Sequence, residues 1–525
     1  MIVSIFNDVI GPVMRGPSSS HCAAALRIGR LARELMDCDF TDVLVEFDRE
    51  GSLPTTHDTQ GSDMGLFGGL MGWDADDERL PGSMRTLGDT GVRISIETVE
   101  AGDPHPNTYR LTLRSDQEVH TLRAISTGGG MMEVIDIDGF SVSMFGDCHE
   151  TLIWADGKED EVVAGIMANF EADEIILHKS GGRRMFEVKA PSFVGEEILS
   201  KMPGVTCVKR LSPVLPVMSR KDTAVPYTTC EEMLVHDAGK GTPLWKLAVN
   251  YEMARGGLTE EEVIAKMVRI VKIVRRSIAQ GIAGTEYDDR VLGHQCGRFD
   301  ELMRDGKLLD GGALNRIILY VTALMEVKSS MGVIIAAPTA GACAALPGAV
   351  VAMAESMGLG EDEMAKALLA SGIIGVFIAT RWTFAAEVGG CQAEGGSAAS
   401  MAAAALVTLA GGPLDQAVAA SSMAFQSMIG LICDPIANRV EAPCLGKNVM
   451  AAANALSCAN MALAGFDQVI PLDEVIETAK QVAKQMPREV RCTNLGGLSI
   501  TPTAIALEKK LAERRAASCG SGCGC

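Results

Sequence analysis

Aromatic residues make up only 4% of this 525-residue chain, although 47% of it is hydrophobic. Large cores must therefore be filled by Ala, Gly, Val, Ile, Leu and Met, which favours closely packed helices. Basic residues are in deficit too: 47 Lys and Arg face 67 Asp and Glu, for a formal net charge of -20 and a pI near 4.9. Nucleic acid and anionic membrane surfaces are bound by clustered Lys and Arg, so neither partner is expected. Long unbroken apolar runs are also missing. The longest uncharged stretch, Ser329 to Ala354, is interrupted by Pro338, Gly341, Pro347 and Gly348, which reads as short buried helices and not as a membrane span. Met1 to Met14 is apolar but carries Asp8 and no basic leader, so it is not read as a secretion signal. No phosphate-cradling loop, dinucleotide glycine pattern or pyridoxal-phosphate lysine context stands out.

Cysteine, by contrast, is plentiful, with fifteen in the chain. Without a secretion signal they point to a reducing, cytoplasmic compartment, where they stay as thiols or bind metal. Cys391, Cys433 and Cys444 stand in Gly-Gly-Cys-Gln, Cys-Asp-Pro and Ala-Pro-Cys-Leu contexts, and the sequence closes with Cys519-Gly-Ser-Gly-Cys523-Gly-Cys525. Thiolates are soft ligands that suit iron-sulfur clusters or zinc, and three fixed ligands plus a removable fourth are what a cluster acting on substrate needs. Separations of 42 and 11 positions do not fit the close ligand pairs of a zinc ribbon or finger. Burial as small apolar residues accounts for the same cysteines without any metal.

The length allows about three domains. Residues 1–148 read as a mixed α/β domain, with strands expected at Val43 to Phe47, Val92 to Glu97 and Tyr109 to Leu113 and a helix over Ala23 to Met36. Residues 149–212 read as strand, helix, strand, strand, helix, strand. That βαββαβ order is that of a ferredoxin-like module, and the segment resembles the small regulatory ACT domain, although acidic Asp156-Gly157-Lys158-Glu159 stands where such domains carry a Gly-Pro effector loop. A proline-interrupted linker, Ser212 to Tyr227, follows. Residues 228–525 read as an all-α domain: Thr259 and Glu262 form a capping box ahead of a helical apolar stripe, and Ala/Gly/Met-rich segments fit close packing.

All eight histidines lie before residue 295, and the candidate cysteines lie after residue 390. A reaction using an imidazole must draw it from the first part of the chain, which predicts an active site at a domain interface. His21 closes the run Gly16-Pro17-Ser18-Ser19-Ser20-His21 just before a helix. Hydroxyls and backbone amides there suit a carboxylate, and a plain serine N-cap explains the run equally well. Pro338-Thr339-Ala340-Gly341-Ala342-Cys343 is a second small-residue turn able to approach a ligand. Glu387 and Glu394 flank Cys391 as possible neighbours of a metal.

Taken together, Gly-Pro-Ser-Ser-Ser-His, Ala-Pro-Thr-Ala-Gly-Ala-Cys, Glu387-Val-Gly-Gly-Cys391-Gln, Cys433-Asp-Pro, Pro443-Cys444 and Gly496-Gly-Leu498 with Thr501-Pro-Thr503 resemble the iron-sulfur-dependent L-serine dehydratases over nearly the whole chain. The resemblance implies a β-type domain, an ACT-like domain and a helical catalytic domain in one chain, with a [4Fe-4S] cluster on Cys391, Cys433 and Cys444. It also implies a C-terminal cysteine, here Cys525, on the fourth iron, with Cys519 and Cys523 as alternatives. Where the family has Gly-His-Gly-Thr-Asp, this chain reads Thr59-Gln60-Gly61-Ser62-Asp63, and the residue after His21 is Cys22 in place of threonine.

The expected reaction is β-elimination of water from L-serine, a small amino-acid substrate, to pyruvate and ammonia. The Cα proton needs a base within about 3 Å, for which His21 and His57 are both candidates. Ser18, Ser19, Ser20, Gln60, Asp63 and Thr339 are the candidate substrate contacts. Gln60 leaves open a dehydratase or desulfidase acting on another β-substituted amino or hydroxy acid, and a cluster-bearing sensor is the reading from a different class. Pairing through the ACT-like sheet makes a homodimer the expected assembly.

Overall fold

The structure, a computed structural model, describes residues 2–16, 18, 21–58, 60–157, 159–202 and 204–520, with backbone alone at 438 and 515–520. The chain divides into two units, Ser18–Thr223 and Met1–Pro17 together with Ala224–Cys525.

The first unit opens with helix α1 (Cys22–Leu35), whose stripe Ala24, Ala25, Ile28, Leu31, Ala32 and Leu35 is buried. It packs on α2 (Ser62–Leu70) along a glycine seam. A Cβ added at Gly29, Gly65 or Gly69 would lie 2.2 Å from the backbone oxygen of Leu66, Cys22 or Leu26 respectively. Any larger residue would force the two backbones apart. One core joins the α1 stripe to Val43, Val45, Phe47, Tyr109, Leu111, Leu113 and Leu122 of a six-stranded sheet.

That sheet comprises β1 (Asp42–Asp48), β2 (Arg93–Val99), β3 (Thr108–Arg114), β4 (Val119–Gly128), β5 (Met131–Ile137) and β6 (Phe140–Met144), in the order β2-β1-β3-β4-β5-β6. Only β1 and β2 run parallel. The three strands expected from alternation fall in β1, β2 and β3, and β4 to β6 complete the sheet beyond them. Asp138 and Gly139, with φ of 54° and 81°, close β5 onto β6 as a two-residue hairpin between Ile137 and Phe140. Asp-Gly is favoured there because both central residues need positive φ.

Next along the chain come β7 (His149–Ala155), α3 (Glu159–Met167), β8 (Glu174–Ser180), β9 (Arg183–Ala190), α4 (Glu196–Leu199) and β10 (Val205–Leu211). The strands form a separate four-stranded sheet in the order β10-β7-β9-β8, antiparallel throughout. Val162, Ile166, Ile198 and Leu199 of its helices share a core with Ile153, Phe186 and Val188 of its strands.

Among its described residues the second unit is mainly helical, with a two-stranded ladder in which Val13–Arg15 pairs antiparallel with Val333–Ile335 and an isolated parallel bridge between Cys433 and Arg491. Residues Met1–Pro17, which the sequence reading placed with the α/β domain, belong here. Their anchor is the buried Glu252, which accepts hydrogen bonds from Ser4 Oγ (2.5 Å) and the Ile5 amide (2.9 Å). The principal helices are α5 (Glu260–Ala283), α6 (Ala313–Ser329), α7 (Glu361–Arg381), α8 (Ser397–Leu409), α9 (Leu414–Gln426) and α10 (Cys444–Leu463). Thr259 and Glu262 form the expected capping box on α5. Gly372 and Gly375 let α7 receive Ile5 and Val9, since added Cβ atoms would meet their side chains at 2.5 and 2.1 Å. Among the described residues, α7 is the one helix long and apolar enough to cross a membrane, and 78% of its apolar window is buried inside the protein. The Ser329 to Ala354 stretch is a turn, a short strand and a buried helix.

Candidate functional site

In the helical unit, Cys391 follows the short helix Ala386–Gly389 and precedes a wide helical turn, Gln392–Gly396. Gly390 between them has φ of 69°, and an added Cβ would sit 2.8 Å from the Leu431 carbonyl oxygen. Glycine is therefore required for Cys391 to approach the 431–433 segment so closely. Cys391 and Cys433 are 5% and 4% exposed and pack with Ala386 and Leu431. Their sulfurs and a Glu394 carboxylate oxygen lie within 4.8 Å of one another. This group is a candidate metal centre. Cys444, 7% exposed, opens α10 and lies outside that tightest set. Burial pushes its thiol up to about 12.

Two side chains lace this region together. Asn448 donates from Nδ2 to the carbonyl oxygens of Gly341 (2.8 Å) and Cys444 (2.9 Å), while its Oδ1 accepts from the amides of Ala344 and Ala345. The Pro338 to Cys343 turn is thus tied to the start of α10. Lys447 donates to the Ile432 carbonyl oxygen (2.7 Å), to Asp434 Oδ1 (2.6 Å) and, at 3.7 Å, to Cys391 Sγ. Burial works against the Lys447 ammonium, but the charges of Cys391 and Asp434 hold its pKa above the ordinary value.

Thr339 donates from Oγ1 to Glu394 Oε1 at 2.8 Å and receives the Ala342 amide at 3.1 Å. Its hydroxyl therefore orients Glu394. Burial raises the Glu394 carboxyl to about 7, the Thr339 bond offsetting part of the effect. Glu387, the other acidic neighbour of Cys391 in sequence, is exposed. Cys525 lies outside the described residues, as do Cys523 and the side chain of Cys519.

In the α/β unit the glycine seam brings the start of α1 beside the segment leading into α2. Ser18 Oγ is 2.9 Å from His21 Nδ1, and His21 Nε2 is 3.1 Å from Thr56 Oγ1. Both ring nitrogens are engaged by hydroxyls, and burial lowers the His21 pKa to about 4, so the ring is neutral near pH 7. His57 behaves oppositely. Its Nδ1 meets both carboxylate oxygens of Asp63, at 2.8 and 2.7 Å. That hydrogen bond raises the His57 pKa against the effect of burial. Asp63, read from sequence as a substrate contact, is a partner of His57. Gln60 lies in the turn before α2, its amide donating to the Thr56 carbonyl oxygen at 2.9 Å. Ser19 and Ser20 lie outside the described residues.

Sequence reasoning did not single out Thr56, Lys447, Asn448 or Cys492. Cys492 packs against the cluster formed by Ala386, Cys391 and Cys433. Its one sequence signal was its cysteine identity in the Arg491-Cys492-Thr493-Asn494 loop, just ahead of the Gly496-Gly-Leu498 motif.

Residues 239–499 match the family model described as serine dehydratase alpha chain. A probable L-serine dehydratase alpha chain from Bacillus subtilis is 37% identical over 253 residues, covering 48% of this chain and 84% of the relative. The probable L-serine dehydratase beta chain of the same organism is 32% identical over 218 residues, covering 40% of this chain and 98% of the relative. An L-serine dehydratase from Streptomyces coelicolor is 26% identical over 520 residues, or 95% of this chain and 99% of that one. The chain belongs to the serine dehydratase family. Within it, similarity to separate alpha and beta chains and to a full-length single chain marks the arrangement in which both parts are fused.

Proposed function

We propose that this chain converts L-serine to pyruvate and ammonia by β-elimination of water, using a [4Fe-4S] cluster held by Cys391, Cys433 and Cys444. The observation that carries this reading is the convergence of buried Cys391 and Cys433 with half-buried Glu394 in a chain of the serine dehydratase family. Soft thiolates in an apolar setting of Ala386 and Leu431 fit an iron-sulfur cluster better than a hard cation. When bound, the cluster supplies a Lewis-acidic iron for a poor leaving group, hydroxide. Cys525 is its displaceable fourth ligand in this reading.

His57 is the base for the Cα proton. Asp63 takes up its Nδ1, which leaves the lone pair of the neutral ring on Nε2, and the raised pKa makes the ring a stronger base than free imidazole. His21, kept neutral by burial and held by Ser18 and Thr56, positions that segment and does not take the proton. Ser18, Ser19 and Ser20 offer hydroxyls to the substrate carboxylate, Gln60 contributes an amide, and Thr339 holds Glu394 in place. The four-stranded sheet, with its strand order and paired helices, supports a ferredoxin-like, ACT-like module over residues 149–212 between an α/β domain and the helical domain from 228. The protein acts in the cytoplasm as a homodimer.

The test is anaerobic iron-sulfide reconstitution of the full chain followed by a pyruvate assay on L-serine and on other β-substituted amino acids. Pyruvate from L-serine supports the reading. Turnover of another substrate alone would assign the enzyme there, and a cluster without turnover would point to a sensor.

A further inference from the structure

Cys433 shares a small buried cluster with Cys391, and Cys492 packs against that cluster. The Cys492 side is reinforced by backbone. The Cys433 amide donates to the Val490 carbonyl oxygen at 2.8 Å, the Cys492 amide donates to the Cys433 carbonyl oxygen at 2.9 Å, and the two segments form a parallel bridge. In a parallel ladder, consecutive side chains on one strand point to opposite faces. A regular strand would therefore face Cys492 away from Cys433, yet Cys492 has a φ of 61° and packs against the cluster that holds Cys433. A left-handed conformation in a non-glycine residue persists where the surroundings impose it, and such positions gather at functional sites. A disulfide spans about 4.4–6.8 Å between Cα atoms, and the direct bond from the Cys492 amide to the Cys433 carbonyl oxygen makes the two backbones immediate neighbours.

The two flanking thiols differ in access and in partners. Cys391 is buried, with the Lys447 ammonium 3.7 Å from its sulfur. Cys492 is partly exposed and lies in a loop. A dissolved oxidant therefore reaches Cys492 before it reaches Cys433, which is 4% exposed.

We propose that Cys492 is a redox partner of Cys433, forming a reversible Cys433–Cys492 disulfide that withdraws Cys433 from metal binding whenever the protein is without metal under oxidising conditions. The co-reactant is a low-molecular-weight disulfide. The Cys492 thiolate attacks it, forming a mixed disulfide and releasing one small thiolate. The Cys433 thiolate then attacks the Cys492 sulfur, closing the protein disulfide and releasing the second small thiolate. The two protein thiols lose two electrons, the small disulfide gains them, and the protein's two thiol protons go to the released thiolates. Reduction by a dithiol reverses the sequence. Thiol pairs of this kind in reducing compartments are transient and redox-sensing. The consequence for metal loading rests on Cys433 being a ligand, as proposed above, whereas the disulfide itself does not.

The experiment uses full-length protein stripped of iron by a chelator, treated with glutathione disulfide, alkylated and mapped by peptide mass spectrometry. The expected result is a linked pair of Cys433 and Cys492 peptides that dithiothreitol separates, with Cys433 alkylatable in Cys492→Ser after the same treatment. In parallel, oxidised wild-type protein should take up iron and sulfide only near background until reduced, while oxidised Cys492→Ser loads as reduced wild type does. A Cys391–Cys433 linkage, or full alkylation of all three cysteines in wild type, would overturn the proposal. If the disulfide forms but iron loading of reduced protein survives Cys433→Ser, the cluster assignment fails and the redox pair stands.

Discussion

His57 Nδ1 lies 2.8 and 2.7 Å from the two carboxylate oxygens of Asp63, six residues further on. The hydrogen bond raises the His57 pKa above its ordinary 6.5, with burial opposing it. A base works when deprotonated, so kcat/KM on L-serine is expected to rise with pH through an inflection above that value. Asp63→Asn should move the inflection to lower pH, and His57→Gln should cut kcat by about 10²- to 10⁴-fold. The same shift has a stability consequence of opposite sense: the protonated pair stabilises the fold below pH 6.5 and that contribution fades as pH rises through the raised pKa. An inflection unmoved in Asp63→Asn would exclude His57 as the base.

The glycine seam between α1 and α2 positions His21 against Thr56. Gly65→Ala or Gly69→Ala places a methyl 2.2 Å from a backbone oxygen, and overpacking of this kind costs about 1–3 kcal/mol. Thermal unfolding should show that loss, with activity falling further than stability explains. Gly88→Ala, in a helix with nothing within 4 Å of the new Cβ, serves as the control and should be neutral or stabilising. Equal effects at positions 65 and 88 would contradict the seam.

Glu252 is fully buried, and burial raises its carboxyl from 4.5 to about 7 despite the bonds from Ser4 and Ile5. Between those values the unfolded chain binds fewer protons than the folded one, so stability falls as pH rises from 4.5 to about 7. The full effect is on the order of 3 kcal/mol. Denaturant titrations across this range should show the decline in wild type and a flatter profile in Glu252→Gln. A parallel decline in the variant would assign the pH dependence to another group.

Soft thiolate ligation predicts that anaerobically purified protein is brown with roughly four irons per chain. Cys391→Ser, Cys433→Ser and Cys444→Ser should each remove colour and iron while circular dichroism keeps its helical signal. Stoichiometric zinc without visible absorption would eliminate the cluster.

Gln60 stands where the family pattern has histidine. An amide donates and accepts hydrogen bonds but takes no proton near pH 7, whereas imidazole does. Gln60→His should alter the substrate profile or the pH dependence of turnover. If neither changes, position 60 does not touch the substrate.

Local patterning made much of the molecule legible. Apolar alternation located β1, β2 and β3, and the order of elements over 149–212 followed from short apolar runs separated by glycine turns. Asp138-Gly139 was an available hairpin signal for β5 and β6. The cysteine contexts point to Cys391, Cys433 and Cys444, but nothing local in the sequence shows that Cys391 and Cys433 meet Glu394 while Cys444 lies outside that set.

The sequence by itself determined the elements, the composition of the cores and the residue types capable of chemistry, because these depend on side-chain periodicity, turn propensity and ligand softness, all of which act over a few residues. Tertiary structure alone decided the partners. His21 and His57 are the same side chain, yet burial lowers the pKa of one and an acceptor six residues on raises that of the other. Met1–Pro17 joined the helical unit through Glu252 and Val333–Ile335, contacts more than two hundred residues away in the chain. Cys492 became a neighbour of Cys433 through a backbone bridge and one left-handed residue. Burial and charge at each of these sites are set by atoms distant in sequence, which no local pattern encodes.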